Sequence, residues 1–332
     1  MKNILVTGGA GFIGSNFIHY FLDKHSDSKI INLDVLTYAG NTDNLIEIQN
    51  DPRYVFVKGD ICDRQLLQRL FQQYDFSTVV HFAAESHVDR SITGPETFIT
   101  TNVLGTQCLL HVAKEFWNGN FDNRRFLHVS TDEVYGSLGP TGYFTEDTPI
   151  APNSPYSSSK AGSDLLVRAY FETYHFPSII TRCSNNYGAY QFPEKLIPLM
   201  ITNALRDIPL PVYGDGLNIR DWLFVEDHCS AIDAVLTKGN PGRVYNIGGN
   251  NEKTNIEIVK HILSELGKPE SLITYVNDRL GHDRRYAIDA SRIKDEINWV
   301  PSVQFKDGVK RTIQWYVDNK WWWEKLLPKD KK

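Results

Sequence analysis

The first half of the chain alternates short β-branched runs with longer amphipathic stretches. Runs at Asn3–Thr7, Lys29–Leu33, Tyr54–Lys58, Thr78–Phe82, Arg125–Ser130 and Ser178–Thr181 predict strands. Between them, Gly14–Lys24, Arg64–Tyr74, Pro95–Trp117 and Tyr156–Tyr174 carry the apolar spacing of helices. Strands alternating with helices predict right-handed βαβ units and a parallel sheet covered on both faces. Near-continuous apolar runs such as Thr78–Phe82 suit strands buried on both sides. After about Arg182 the rhythm breaks. Loops rich in Pro, Gly and Asn (Asn185–Pro193, Pro209–Asn218, Gly239–Asn251) then separate shorter elements. The expected fold class is α/β: a doubly wound parallel sheet over residues 1–184, and a smaller C-terminal α/β lobe over residues 185–332, with an interleaved boundary.

Composition narrows the partners. The 332 residues are 41% hydrophobic and 23% charged, near globular averages, which excludes disorder and coiled coil. A net charge of −5 argues against nucleic acid as a main partner, since phosphate binding needs a basic face. No run approaches the roughly 20 apolar residues that span a bilayer, so no membrane partner is expected. The apolar start Ile4-Leu5-Val6 ends at Thr7-Gly8-Gly9, too short for a secretory leader. Cys62, Cys108, Cys183 and Cys229 lie far apart, which suits free thiols and a cytoplasmic location. The histidines show no H-E-x-x-H spacing, and no metal is expected.

One turn changes the picture. Thr7-Gly8-Gly9-Ala10-Gly11-Phe12-Ile13-Gly14 follows the first strand and opens a helix. Gly9, Gly11 and Gly14 fit G-x-G-x-x-G; Gly8, Gly11 and Gly14 also fit G-x-x-G-x-x-G. Such glycines permit a tight turn, close approach to a pyrophosphate and close helix–strand packing, while the helix N-terminus offers N–H groups to phosphate. Asp34 ends the second strand and is placed to accept hydrogen bonds from ribose hydroxyls. The sheet is therefore expected to be Rossmann-type. No Lys or Arg lies between Asp34 and Asn41 to hold a 2′-phosphate, which favours NAD over NADP. Gly59-Asp60-Ile61, after the third strand, is placed to meet the adenine, although alone it reads as an ordinary turn.

Y-x-x-x-K occurs at Tyr20/Lys24, Tyr54/Lys58, Tyr156/Lys160 and Tyr316/Lys320. On a strand, Tyr54 and Lys58 would stand about 13 Å apart at ~3.3 Å per residue. Only Tyr156 follows a helix-start signal, Ser154-Pro155, so that Tyr156 and Lys160 share a helical face. A tyrosine of pKa about 10 is a poor base at neutral pH. A nearby ammonium favours the phenolate, which then takes a proton from a sugar hydroxyl. Upstream, Ser130-Thr131-Asp132-Glu133-Val134-Tyr135-Gly136 closes a strand at the edge where such sheets bind ligands. Thr131 is placed to hydrogen-bond the reacting oxygen. In a regular strand Asp132 and Glu133 would face opposite ways, whereas a turn brings both to one substrate as an acid and a base. The dipeptide alone reads more often as a solvated acidic turn.

Together with Ala83-Ala84-Glu85-Ser86-His87-Val88-Asp89, Asn185-Asn186-Tyr187-Gly188 and Arg220-Asp221-Trp222, these motifs resemble the extended short-chain dehydrogenase/reductases. The Thr131-Asp132-Glu133 run makes the chain similar, within them, to the dTDP-glucose 4,6-dehydratases. The resemblance implies a nucleotide-sugar substrate, dTDP-glucose, and tightly held NAD. Tyr156 takes the C4 hydroxyl proton as hydride passes to NAD, Glu133 removes the C5 proton, and Asp132 protonates the departing C6 hydroxyl. Hydride then returns to C6. It also implies a cofactor shell of Phe12, Ile13, Asp34, Val35, Leu36, Thr37, Asp60, Ile61, Ala83, Ala84, Glu85, Ser86, Thr101, Tyr156, Lys160 and Asn186. The implied substrate contacts are His87, Thr131, Asn185, Lys195, Leu196, Pro211, Val212, Tyr213, Arg220, Asn255, Asp278, Arg279 and His282. Arg220 and Arg279 suit a diphosphate as guanidinium forks, although each alone reads as a surface ion pair. A homodimer is implied as well, with Pro95–Trp117 and Tyr156–Tyr174 pairing across a two-fold.

The family's R-P-G-H-D-R-R-Y reads Arg279-Leu280-Gly281-His282-Asp283-Arg284-Arg285-Tyr286 here. Leucine frees the φ that proline would fix, so this loop is expected to be less preorganised. Trp321-Trp322-Trp323 is expected to pack as a terminal helix rather than form a ligand platform. Two rival readings are a nucleotide-sugar 4-epimerase or decarboxylase, which needs no acid at position 132, and a silent NAD-binding regulator, which would not need the Tyr156/Lys160 pair.

Overall fold

The hydrophobic alternation of the first strand sets the architecture. In strand β1 (Lys2–Thr7), Ile4 and Val6 pack on one face of the sheet and Leu5 on the other. In this computed structural model, which describes residues 2–278 and 281–327, β1 is an interior strand of a seven-stranded sheet, next to the central β4. The others are β2 (Ser28–Asp34), β3 (Tyr54–Lys58), β4 (Thr78–His81), β5 (Arg125–Thr131), β6 (Ser178–Cys183) and β10 (Val244–Ile247). Their order is β10-β6-β5-β4-β1-β2-β3, and all pairs are parallel. The strand order reverses at β1, which opens a crevice beyond the carboxyl ends of β1 and β4. The expected strands are present, with small shifts at their ends. β6 runs two residues further, to Cys183, because all of Ser178–Cys183 is buried between β5 and β10.

Helices cover both faces. Phe17, Ile18 and Phe21 of the helix Phe12–Lys24 pack with Ile232 and Val235 of the helix Val225–Lys238. Leu67, Leu70, Leu109 and Val112, from the helices Arg64–Tyr74 and Thr106–Trp117, cover the opposite face. The stretch expected as one helix over Pro95–Trp117 is a continuous helical run in three parts: Glu96–Phe98, a π-helical segment Ile99–Gly105, and Thr106–Trp117. The wider π turn re-aims side chains, as such segments often do near sites. It brings Thr101 to the crevice wall. Asn102 it leaves buried, bonded to the backbone N–H and C=O of Glu85 at 2.8 and 3.0 Å and to Ser159 Oγ at 2.8 Å.

The chain after residue 184 is shared between two layers. Val225–Lys238 and β10 return to the large sheet. The remainder builds β7 (Asn185–Tyr187), β8 (Leu210–Tyr213), β9 (Ile219–Phe224), β11 (Glu252–Thr254) and β12 (Ile273–Val276) into a three-stranded and a two-stranded sheet. A second core of Tyr187, Ile201, Trp222, Ile258, Val309 and Trp322 fixes these to the helices Leu196–Leu205, Asn255–Leu266 and Phe305–Asp318. The reciprocal Thr254–Glu257 capping box starts the Asn255 helix, so Asn255 sits where β11 ends. Among the described residues, no helix is long and apolar enough to cross a membrane, and no cluster of His, Cys, Asp or Glu could hold a metal ion.

Candidate active site

A cleft of ≈ 380 Å³ runs along the carboxyl ends of the central strands. Its floor is the glycine-rich turn. Gly8 takes φ +72°, and a Cβ there would lie 2.6 Å from the Cα of Ala83. A Cβ on Gly14 would lie 2.4 Å from the Gly8 carbonyl, so the helix Phe12–Lys24 approaches the turn as only glycine allows. No side chain caps that helix, and Phe12, Ile13 and Gly14 of its first turn border the cleft. Asp34 accepts from Ala10 N–H at 2.9 Å and Leu36 N–H at 2.8 Å. Burial pushes its carboxyl up, and these two bonds hold it down. Leu36, at φ +59°, turns the Asp34–Gly40 loop back along the cleft. This glycine cradle and carboxylate suit the pyrophosphate and ribose of a dinucleotide.

The catalytic candidates meet at the ends of β5 and β6. Thr131 caps a single helical turn, Asp132–Tyr135: its Oγ1 accepts from Glu133 N–H and donates to Asp132 Oδ1, each at 3.3 Å. The expected turn is therefore present, although it does not set both carboxyls on the cleft wall. Glu133 lines the cleft. Asp132 lies behind it, 2% exposed, and its Oδ2 has no hydrogen-bond partner. Burial, then Glu133 and Asp221, push the Asp132 carboxyl well above the usual range; Arg220 opposes them. The site therefore favours the protonated form of Asp132 over its carboxylate.

Tyr156 and Lys160 ride on the helix Pro155–Tyr174, started by the Ser154–Ser157 capping box with Pro155 in its first turn. Both line the cleft and are nearly buried. Lys160, expected to pull the phenol toward its anion, is not among the largest influences on it. Burial, Glu133, Cys183 and Asp132 push Tyr156 well up, opposed by a Thr131 hydrogen bond. Lys160 instead donates to the Val129 carbonyl at 2.9 Å, and burial pulls it down to about 8. Tyr156 is thereby held as a phenol rather than a phenolate.

Every cofactor-shell residue expected from sequence lines this one cleft except Leu36, whose backbone N–H reaches Asp34. Asn185 and Lys195 line it too, and Lys195 donates to the Ser86 carbonyl at 3.1 Å. His87, Leu196, Pro211, Val212, Tyr213, Arg220, Asn255, Asp278 and His282 do not form its wall. His87 stands just outside, its Nε2 3.4 Å from Glu194 Oε2, and Leu196 begins the helix after Lys195. Tyr213 (on β8) and His282 stack edge-on at 6.3 Å, and His282 Nδ1 lies 2.5 Å from Asp278 Oδ1, forming a second patch. Arg220 is buried, not a surface ion pair: it donates to the Asp283 carbonyl at 2.9 Å and lies 4.4 Å from the Tyr286 ring. Asn218 also donates to the Asp283 carbonyl and accepts from Asn255 N–H, which draws Asn255 to the same patch. Arg279 and Leu280 lie outside the described residues.

The cleft also contains residues that the motifs did not single out. Tyr38 and Gly40 continue the Asp34 loop and are legible as its extension. Gln191, Phe192 and Glu194 come from an aperiodic Pro- and Asn-rich loop with no local signal of a site. They close the cleft from the other lobe: Tyr38 packs edge-on to Phe192 at 5.6 Å and carries the Arg90 guanidinium 3.6 Å above its ring.

Known proteins resemble this chain along nearly its whole length. The family profile described as GDP-mannose 4,6 dehydratase matches residues 5–312. A dTDP-glucose 4,6-dehydratase of Xanthomonas campestris pv. campestris is 56% identical over 340 residues, 98% of this chain and 96% of its own length. The crystal structure of a dTDP-glucose 4,6-dehydratase from Bacillus anthracis in complex with NAD has a TM-score of 0.91 at 56% identity, covering 98% of this chain and 100% of that one. One from Streptomyces venezuelae, also with NAD bound, has a TM-score of 0.93 at 51% identity over 98% of this chain and 100% of that one. Matched along nearly its whole length at this identity, the chain belongs to the dTDP-glucose 4,6-dehydratase family of the extended short-chain dehydrogenase/reductases.

Proposed function

We propose that the chain converts dTDP-glucose to dTDP-4-dehydro-6-deoxy-glucose and water, with NAD held in the cleft throughout the cycle. The observation that carries this reading is the Asp132–Glu133 pair: a buried carboxyl pushed toward its protonated form, adjacent to a second carboxyl group on the cleft wall. Elimination needs that combination of acid and base; simple epimerisation at C4 does not.

The glycine cradle and Asp34 would hold NAD, which supplies reversible oxidation at C4 and reduction at C6. Tyr156, hydrogen-bonded to Thr131, first releases its phenolic proton to solvent, favoured by the positive charges of Lys160 and the oxidised cofactor, and the phenolate then takes the C4 hydroxyl proton. Lys160 is cationic below about pH 8 and keeps positive charge at the tyrosine's helical face. The C4 ketone acidifies C5, where Glu133 removes the proton while Asp132 protonates the departing C6 hydroxyl. One water leaves, and Glu133 returns a proton to C5. Asp132 regains its proton from solvent, so protons and oxygen balance and the cofactor ends as it began.

Residues 1–184 serve the dinucleotide in this reading, and the lobe of residues 185–332 receives the nucleoside diphosphate through Lys195 and the Tyr213–Asp278–His282 patch. A second copy of the chain covers the exposed side chains Ile99, Leu104 and Leu165, which lie on the helices expected to pair.

Substrate carrying deuterium at C4 tests the cycle. Deuterium recovered at C6 of the product supports it. Deuterium returned to C4, as an epimerase would leave it, or lost to water contradicts it.

A further inference from the structure

The tryptophan run at the C-terminus is not a surface platform, and its middle residue reaches the cofactor turn. Trp321 is half-exposed, whereas Trp322 and Trp323 are buried. Trp322 packs edge-on against Trp315, Tyr190 and Tyr316, with centroids 5.1, 5.9 and 6.4 Å away. Its indole Nε1–H crosses 278 residues of sequence to donate to Asn44 Oδ1 at 2.8 Å. Asn44 is itself buried, in the turn Thr42–Ile48. Its Nδ2 donates to the Ala10 carbonyl at 3.0 Å, and Ala10 N–H donates to Asp34 Oδ2 at 2.9 Å. One unbroken chain of hydrogen bonds thus joins Trp322 to the glycine-rich turn and to Asp34.

The chemistry of the links fixes their direction. An indole N–H only donates, so it pairs with the accepting carbonyl end of the Asn44 amide and no other. The NH₂ end is thereby aimed at the Ala10 carbonyl. A flipped amide would set donor against donor at one end and acceptor against acceptor at the other. The same segment braces the far wall of the cleft: Tyr190 packs edge-on to Trp322, and the Tyr316 hydroxyl donates to the carbonyl of cleft residue Gln191. The Lys325–Asp43 ion pair adds a second tie beside Asn44.

We propose that Trp322 is a positioning residue for dinucleotide binding, its indole N–H orienting Asn44 to hold the Ala10 carbonyl of the glycine-rich turn. This rests on the reading of the cleft as an NAD site. Trp322→Phe retains an aromatic ring in the cluster and removes the donor. NAD affinity of the wild type and of the variant, measured by titration of NAD-stripped protein, should differ by roughly three- to tenfold, the loss expected for one hydrogen bond. The KM for dTDP-glucose at saturating NAD should move less than twofold. Trp322→Phe added to Asn44→Ala should weaken NAD no further than Asn44→Ala alone. Wild-type protein that binds no NAD overturns the reading of the cleft and this proposal with it. Wild type that binds NAD equally well with and without the indole donor overturns the positioning role alone, as does an equal loss of substrate and NAD affinity. Should Trp322→Phe not fold, nitrogen-labelled tryptophan in the wild type gives a second readout. The Trp322 indole resonance should shift on NAD addition while exposed Trp321 does not, and an unmoved Trp322 signal contradicts the proposal.

Discussion

Lys160 is anchored on the sheet by its 2.9 Å hydrogen bond to the Val129 carbonyl, one turn along the helix from Tyr156. Burial pulls the ammonium down to about 8, with Asp164 and Cys183 pulling the other way. The charge is therefore present below about pH 8 and is lost as pH rises through it. The rate of C4 oxidation, followed by cofactor absorbance in a single turnover, should fall along an alkaline limb centred near pH 8. Lys160→Met should slow that step by roughly 10²-fold or more and remove the limb. A limb that persists in the variant belongs to another group.

Asp132 and Glu133 divide acid from base in this account. Asp132→Asn keeps the shape and removes the acidic proton. Cofactor reduction should persist and reduced cofactor should accumulate, while water loss slows by roughly 10²- to 10⁴-fold. If the variant instead loses cofactor reduction and leaves elimination unaffected, the two roles are misassigned.

How far these sites were legible depends on whether a signal was local. The glycine turn, Asp34 and the Tyr156/Lys160 pair each sit at a strand end or helix start, so motif and element reinforced one another. The protonation of Tyr156 was not legible, because it arises from burial and from carboxylates brought in by β5. Asp132 makes the same point: its neighbours Asp221 and Arg220 come from β9, almost 90 positions away. The π-helical segment at Ile99–Gly105 leaves no mark in apolar spacing that already reads as one helix. Gln191–Glu194 carries no periodicity, and only the packing of the second lobe makes it a cleft wall.

Buried histidines beneath the site predict acid sensitivity. His128 is fully buried, 3.1 Å from Ser163 Oγ and 3.4 Å from Asp164 Oδ1, and burial pulls it from 6.5 down to about 4. The unfolded chain binds its proton below about pH 6.5, while the folded chain resists until about pH 4. Stability should therefore fall as pH drops through that window, by about 3 kcal/mol from this one group. Urea unfolding between pH 7 and 4 measures it, and a flat profile would contradict the assignment. His128→Gln should flatten that part of the curve.

The exposed apolar side chains Leu104 and Leu165 are 55% and 54% accessible in the single chain. Covered by a second copy, they should be sensitive to charge. Sedimentation of the wild type should give a dimer, and Leu104→Glu with Leu165→Glu a folded monomer. A wild-type monomer, or a variant that still dimerises, would place the contact elsewhere.

Incubation of the purified protein with dTDP-glucose, followed by mass spectrometry of the sugar nucleotide and absorbance of the cofactor, tests the central claim most directly. The account predicts a product lighter by one water with no net reduction of NAD. A product of unchanged mass with inverted C4, or one formed only with stoichiometric NAD reduction, would contradict it.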